Sequence, residues 1–574
     1  MTNRLNHLLH WLLLPVLLCT SVAYSSDLVE FNATVAGIHS DMLENANQRL
    51  NIERDSFGKQ LSDKAAETLY NKGPEIIKQA IQPFGYFNPT IHASLKKTDN
   101  TWFAKYKVKQ GPPLLIQRIQ IDVTGPGKDN LALQHLKSHP PIAPGKRFTT
   151  ERYEWIKKVL FNTAHNQGYT NAQMIKHETQ IDIKNNTAVI IFSLDTGPRY
   201  YFGSFSFSEE KYSIDFLKKF VPFKKGQPYS PKKLQTLQTS LSNTKFFSSV
   251  NVTPDNARTQ KNTVPVTIDT KAVPSQIYNI GAGYGTNTGI RTSMNVHLNR
   301  LTDTGQHMIM GLSVSEVNTA LLAKYYIPGP DPIRNQYSVA ALIQEFNPSG
   351  GKAFSRGVSP GYTTNLSHNI TVNSTLNYLH ERYSIDSDPY ETADMMYPEL
   401  TVSKSESNEV INPSNGYLIA LKLRTAYLFT PTTFNQEELT GKWVHNLGNN
   451  ALIMLRGNLG TTSAHPYDKL PMTLRYFAGG VNSVRGYSEQ NMGPGKYLKV
   501  ASVEVQQRLY QEFYGALYFD AGNATDNFHD SLKKGQGTGI VWHSPIGPIA
   551  LYVTQAISSH DKPLRIDISI GTGL

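Results

Sequence analysis

Residues 417–424 read Tyr417-Leu418-Ile419-Ala420-Leu421-Lys422-Leu423-Arg424. The larger apolar side chains Tyr417, Ile419, Leu421 and Leu423 alternate with Leu418, Ala420, Lys422 and Arg424. Successive side chains of a strand point to opposite faces, whereas a helix repeats every ~3.6 residues, so this stretch reads as a strand. The same period recurs far away in the chain. Met294, Val296 and Leu298 alternate with Ser293, Asn295 and His297, and Leu564, Ile566, Ile568 and Ile570 alternate with Arg565, Asp567 and Ser569. One apolar face and one polar or charged face suits a wall with lipid outside and water inside.

From about Gln276 onward the period-two pattern runs on for roughly 300 residues. A membrane-spanning strand takes ~9–11 residues, so sixteen strands would use about 160 and leave connections of about nine residues each. A soluble β-sandwich also alternates, but it does not usually continue through so many strands. Export supports the barrel. Arg4 supplies a positive start, Leu8 to Leu18 form a short apolar run, and small residues follow at Ser21, Ala23, Ser25 and Ser26. This predicts a signal peptide over residues 1–25, cleaved after Ala23 or Ser25. Leu18 is too bulky before Cys19 for a lipoprotein site. After the leader no stretch approaches the ~18 apolar residues of a spanning helix, so membrane embedding falls to strands.

Ahead of the barrel, helix and strand signals recur with a period of about 80 residues. A helix at Leu61 to Gln82 is followed by Gly85-Tyr86-Phe87 and strands at Pro89 to Leu95 and Trp102 to Val108. The order returns with a helix at Thr149 to Asn166, Gly168-Tyr169, and strands at Gln180 to Ile183 and Ala188 to Leu194. It returns again with Pro231 to Asn243, Lys245-Phe246-Phe247, and strands at Ser249 to Thr253 and Val264 to Asp269. Gly111-Pro112 and Gly197-Pro198 punctuate the copies. Three tandem small α+β domains are therefore expected at residues 26–111, 112–197 and 198–273, followed by a 16-stranded antiparallel transmembrane β-barrel over 274–574.

Composition excludes several chemistries. The chain of 574 residues holds one cysteine, within the leader, so disulfides, zinc thiolates and cysteine nucleophiles are not expected. Net charge is +11, yet the Lys and Arg are scattered, and no nucleic-acid partner is expected. Gly535, Gly537 and Gly539 lack phosphate-loop spacing and read as a turn. Asp386 and Asp388 lack further calcium-ligand spacing, and no His-Glu-x-x-His motif occurs. No enzyme activity and no cofactor are expected.

The segment Arg475-Tyr476-Phe477-Ala478-Gly479-Gly480-Val481-Asn482-Ser483-Val484-Arg485-Gly486-Tyr487 resembles the inward-folded loop of the BamA/TamA outer-membrane assembly superfamily, whose signature is Val/Ile-Arg-Gly-Phe/Tyr. The Phe-Ala-Gly-Gly run is similar to the TamA branch in particular. Phe519-Asp520-Ala521-Gly522-Asn523 resembles a barrel-strand motif of the family, and the run from Gly281 to Gly289 resembles the TamA first strand and turn. The family usually has acids where Asn287 and Val481 stand. The resemblance implies that the repeats are polypeptide-transport-associated (POTRA) domains, three as in the TamA branch. It implies an outer-membrane barrel with periplasmic POTRA domains.

It also implies a mechanism. Arg485 is always charged and presents a planar donor fork suited to carboxylates. Alternation turns Val503, Val505 and Leu509 outward and Glu504 and Arg508 inward; it turns Leu517 and Phe519 outward and Asp520 inward. Arg485 is expected to pair with Glu504 and Asp520 and lock the loop, as the resemblance also implies. Gly486, Gly479 and Gly480 free the backbone to turn, and Tyr487 stacks in the lumen. Gly281, Gly283 and Gly285 lie at period two on the first barrel strand and weaken its packing. In the family the first and last strands meet at a weak seam, which exposes an edge able to template a client strand. The implied function is insertion and translocation of β-barrel or autotransporter clients, in contact with outer-membrane lipid. The implied partner is a TamB-like, inner-membrane-anchored protein reached through the first POTRA domain. Two rival readings are a two-partner secretion transporter and phospholipid transfer between membranes.

Overall fold

A computed structural model describes residues 29–574 except 59–60, 209–210, 286–288, 367–368, 387, 410, 449, 546 and 571–574. The expected leader and the Thr286–Thr288 part of the first-strand motif lie outside the described residues. The chain falls into two compact units. One runs to Phe202 and takes in Gly226–Pro231 and Gln260–Thr263; the other comprises Gly203–Lys225, Lys232–Thr259 and the chain from Val264 onward.

The first unit contains two copies of one α+β motif. In the first, β1 (Glu30–Ala36) leads through α1 (Ser40–Ser56) and α2 (Asp63–Ile81) to the hairpin of β2 (Thr90–Thr98) and β3 (Thr101–Lys109). The sheet order is β1-β3-β2, with β1 parallel and β2 antiparallel to β3. A parallel pair needs a crossover, and the two helices supply it. Ser62 starts α2 by accepting a hydrogen bond from the Ala65 amide, and Leu69, Ile77 and Ile81 bury its inner face. Gly73 sits mid-helix because Tyr106 lies across it: a Cβ there would stand 2.2 Å from the Tyr106 hydroxyl.

The second copy repeats the plan with β4 (Leu115–Thr124), α3 (Leu131–Ser138), α4 (Thr150–Asn166), β5 (Gln173–Asp182) and β6 (Thr187–Asp195), in order β4-β6-β5. Asn130 caps α3 and Thr149 caps α4. Leu114, Ile116, Ile156, Leu160, Ile190, Phe192 and Leu194 form its core. The sequence reading found the second helix of each copy but not the first. α1 buries only Ala46 and Leu50 along its length, too thin an apolar stripe to show helical period.

The third copy comprises β7 (Tyr201–Phe207), α5 (Ile214–Lys218), α6 (Pro231–Ser242), β8 (Phe247–Pro254) and β9 (Thr263–Ala272), in order β7-β9-β8. It lies mostly in the second unit and packs on the turn between the second and third barrel strands. The Ser213 amide donates to the Asp303 carbonyl at 2.9 Å. Gly305, at φ +79°, has no room for a side chain, since a Cβ would stand 2.4 Å from the Phe216 ring.

The remainder of the second unit is a 16-stranded antiparallel sheet in which each strand pairs with the next in sequence. It starts with Gln276–Gly285 and ends with Leu564–Ile570. The sixth, seventh and eighth strands, Gly351–Leu366, Ile370–Ile385 and Glu391–Ser407, are long. The eleventh, Ala451–His465, is separated by residues 466–496 from the twelfth, Tyr497–Tyr510, which pairs with the thirteenth, Phe513–Thr525. Exposure alternates as a barrel requires: Val503, Val505, Leu517 and Phe519 face outward, while Glu504 and Asp520 are buried inside. Arg508 keeps the register of Glu504, paired with Tyr514, but stands exposed at the strand end, bonded to Glu512 at 3.0 Å, where a bulge between Arg508 and Tyr510 breaks the ladder.

Gly535, Gly537 and Gly539 are not a turn. They lie in the fourteenth strand, Lys533–Ser544, laddered to both neighbours. All three lack space for a Cβ, which would meet the Arg485, Val553 and Leu551 carbonyl oxygens at 2.0, 2.3 and 2.5 Å. Their glycine spacing of two is therefore a strand period, set by what packs against it.

Candidate functional site

Residues 466–496 connect the eleventh and twelfth strands and fold back into the barrel. A short hairpin of Tyr476–Ala478 with Met492–Gly495 stiffens the excursion. Gly479, Gly480 and Gly486 all adopt positive φ, at +105°, +95° and +88°. These values favour glycine, because a Cβ would collide with the backbone there. At Gly486 the approach is also tight: a Cβ would lie 2.9 Å from the Gln555 carbonyl carbon.

At the loop tip Arg485 is 2 % exposed, among the largest fully enclosed side chains in the molecule. Its Nε donates to Asp520 Oδ2 at 2.8 Å and its Nη2 to Asp520 Oδ1 at 2.9 Å, a bidentate fork. Nη1 donates to Glu504 Oε2, and Nη2 also reaches Ser502 Oγ at 3.2 Å. The Arg485 amide adds a bond to Asp520 Oδ2 at 2.9 Å. The guanidinium carbon lies 3.4 Å from the centre of the Tyr518 ring and 4.9 Å from that of Tyr552.

Those partners are held in turn. Tyr552 Oη donates to Glu504 Oε1 at 2.9 Å and Gln506 Nε2 to the same oxygen at 2.7 Å. Arg456 brings a second cation, its Nη2 donating to Ser502 Oγ at 3.1 Å. Tyr487 is buried beside Val484 and Ala556, and its hydroxyl donates to the Lys534 carbonyl at 3.3 Å. The tip also holds the last strand, since the Gly486 amide donates to Asp567 Oδ2 at 3.2 Å and Arg565 Nη1 to Ser488 Oγ at 2.8 Å. Thus Arg485, Gly486, Tyr487, Glu504 and Asp520 come together. Tyr518, Tyr552, Gln506 and Asp567 were missed as partners, although each stands at an inward position of an alternating strand.

The loop has a second anchor across the lumen, which the sequence reading missed. Glu381 on the seventh strand is fully buried. It accepts from the Thr473 amide at 3.2 Å, the Thr473 hydroxyl and Ser355 Oγ at 2.9 Å. It thereby caps a single 3-10 turn at Met472–Leu474, whose apolar side chains pack on Leu379, Met395 and Phe434. The only advance signal was one acid, Glu381, among inward residues Leu379 and Tyr383.

The seam glycines take a different place. Gly281, Gly283 and Gly285 pair with Ser293, Arg291 and Gly289 of the second strand. Among the described residues no hydrogen-bonded ladder joins the sixteenth strand to the first. A cavity of about 370 Å³ opens there, lined by Gly281, Ala282, Ser293, Val314 and Ile568.

Comparison with known proteins places these parts. Residues 300–574 match the Omp85 superfamily domain, residues 32–110 match POTRA domain TamA domain 1, and residues 200–272 match the POTRA family described as surface antigen variable number repeat. The outer membrane protein assembly factor BamA of Buchnera aphidicola subsp. Acyrthosiphon pisum (strain APS) is 25% identical over 156 residues, 27% of this chain and 25% of that protein. The chain spans about a quarter of the length of the curated relatives it matches. The crystal structure of BamA from Haemophilus ducreyi lacking POTRA domains 1-3 superposes with a TM-score of 0.60 at 16% identity, covering 79% of this chain and 98% of that one. CdiB from Acinetobacter baumannii superposes at 0.52 with 13% identity, covering 93% and 98%. The molecule carries an Omp85 superfamily domain within an outer-membrane barrel, behind periplasmic POTRA domains.

Proposed function

We propose that this Omp85-type barrel helps to insert and translocate β-barrel or autotransporter clients through its seam. The carrying observation is the cavity lined by small residues, Gly281, Ala282 and Ser293, where the first strand lies beside Ile568 of the sixteenth. When such a seam opens, a strand edge offers a row of amides and carbonyls on which an incoming strand can pair. Client strand pairing and folding supply the energy, without a nucleotide. Arg485, Glu504 and Asp520 lock the loop while the seam works, and Gly486 and Tyr487 fit its tip to the wall.

The match of residues 32–110 to the first TamA POTRA domain supports a TamB-like, inner-membrane-anchored partner at the first repeat. The curated BamA relative, by its name an assembly factor, supports client assembly. A loop anchored on both sides of the lumen weighs against a wide pore for one secreted substrate.

Depletion followed by outer-membrane proteomics tests the reading, together with crosslinking from the first repeat. Loss of barrel or autotransporter clients is the expected result. A pair of cysteines stapling the first strand to the sixteenth should produce the same loss in a barrel that still folds. Altered outer-membrane lipid with clients intact would instead favour lipid transfer, and ion conductance with one co-encoded substrate would favour two-partner secretion.

A further inference from the structure

The outer face of the sixth, seventh and eighth strands carries charges that the loop and seam do not use. Arg356, His380 and Asp394 are direct cross-strand partners in one row. They alternate with buried Ser355, Glu381 and Met395, so the row faces away from the lumen. Asp394 Oδ1 is occupied, accepting from the Tyr378 hydroxyl at 2.8 Å and pairing with His380 Nδ1 at 2.9 Å. One step further toward the strand ends stand Arg382 and, beyond it, Lys352, both exposed. Glu345 on the fifth strand is the neighbouring acid, and it accepts from Asn347 at 3.1 Å. Among the described residues no carboxylate lies within 4 Å of Lys352, Arg356 or Arg382.

The third POTRA domain precedes the first strand, so in an antiparallel barrel the sixth strand begins at the far, extracellular end. Below Arg356 the outward residues become apolar: Val358, Tyr378 and Met396, then Leu376, Leu400, Val402 and Leu366. From Val358 to Leu366, a rise of ~3.4 Å per residue and a tilt of ~40° give about 21 Å, close to the ~25 Å apolar band of outer-membrane barrels. The row of Arg356 therefore meets the outer rim of the hydrocarbon. Lipid-facing Arg is costly at the bilayer centre and nearly neutral at its edge, which fits this placement.

We infer that Lys352, Arg356 and Arg382 form a docking surface for a phosphate-bearing lipid headgroup of the outer leaflet. Guanidinium forks match phosphate oxygens in geometry and charge. His380 and Tyr378 hold Asp394 to one side, so the two arginines keep their donors for the ligand. The acyl chains lie along Val358, Leu376 and Met396. Such a contact would pin the long strands to the outer leaflet.

The test uses the full chain folded in detergent, titrated with bis-phosphorylated lipid A and read by native mass spectrometry. Wild type should retain the lipid, and R356Q/R382Q should bind it about thirtyfold more weakly, with each cation worth roughly a factor of five. Lipid A stripped of phosphate should not distinguish the two proteins. K404Q, at the opposite rim of the eighth strand, should bind like wild type. Equal binding by wild type and R356Q/R382Q overturns the inference, as does equal retention of phosphate-free lipid A by wild type. Heat-modifiable gel mobility checks folding, and if R356Q/R382Q fails to fold, K352Q/R382Q carries the same comparison with the same opposing outcomes.

Discussion

Replacing Arg485 with Ala would remove four side-chain hydrogen bonds, two to Asp520 at 2.8 and 2.9 Å, one to Glu504 and one to Ser502 at 3.2 Å. It would leave Glu504 and Asp520, at 2 % and 0 % exposure, without the cation between them. Breaking a buried pair from one side costs ~3–5 kcal/mol, mostly because a charge stays buried without its counterion. The faces of Tyr518 and Tyr552 would lose a further ~0.5–2 kcal/mol of cation–π attraction. Arg456 supplies a compensating charge nearby, so the expected loss is about 4 kcal/mol. Arg485→Lys keeps the charge but not the planar fork and should recover less than half.

Urea unfolding of the barrel in lipid vesicles measures this loss, and externally added trypsin reports whether the loop has left the lumen. Arg485→Ala should unfold at lower urea and expose residues 466–496. A double-mutant cycle with Asp520→Ala isolates the pair. A loss below about 1 kcal/mol, a protected loop and a coupling near zero would together refute the lock.

Gly535→Ala places a Cβ 2.0 Å from the Arg485 carbonyl oxygen and should displace the tip by an overpacking cost of ~1–3 kcal/mol in the same urea assay. Gly441→Ala, with open space around it, should fall within about 0.5 kcal/mol of wild type, and an equal effect at both sites would count against tip packing. Glu381→Ala removes the acceptor of the Thr473 amide and should cost ~1–3 kcal/mol; trypsin should then cut near Lys469 while the tip stays seated, and simultaneous release of both ends would show a single anchor. Gly486→Ala, at φ +88° and against Gln555, should cost ~1–3 kcal/mol, and a neutral result would mean that the tip backbone relaxes freely.

The inward acids were legible because a strand has only two faces. Once Val503 and Val505 are assigned to lipid, Glu504 has nowhere else to point. The glycines at Gly535, Gly537 and Gly539 were misread for the opposite reason. Glycine has no side chain to reveal a face, and its spacing makes sense only when the Arg485 carbonyl is seen pressing on that strand. Glu381 was illegible as an anchor because its partner, Thr473, is 92 positions away and no local pattern links them.

By itself the chain of letters determined the strand period, the recurring α+β copies and the inward side of the barrel strands whose apolar residues alternate, since all of these are local repeats of backbone geometry. Tertiary structure alone decided where the loop goes. It crosses the lumen between Glu381 and the Asp520–Glu504 pair and ends on Asp567 of the last strand. It also left the first and sixteenth strands without a shared ladder among the described residues. Such contacts join residues distant in sequence through burial and electrostatics, and neither leaves a period to be read.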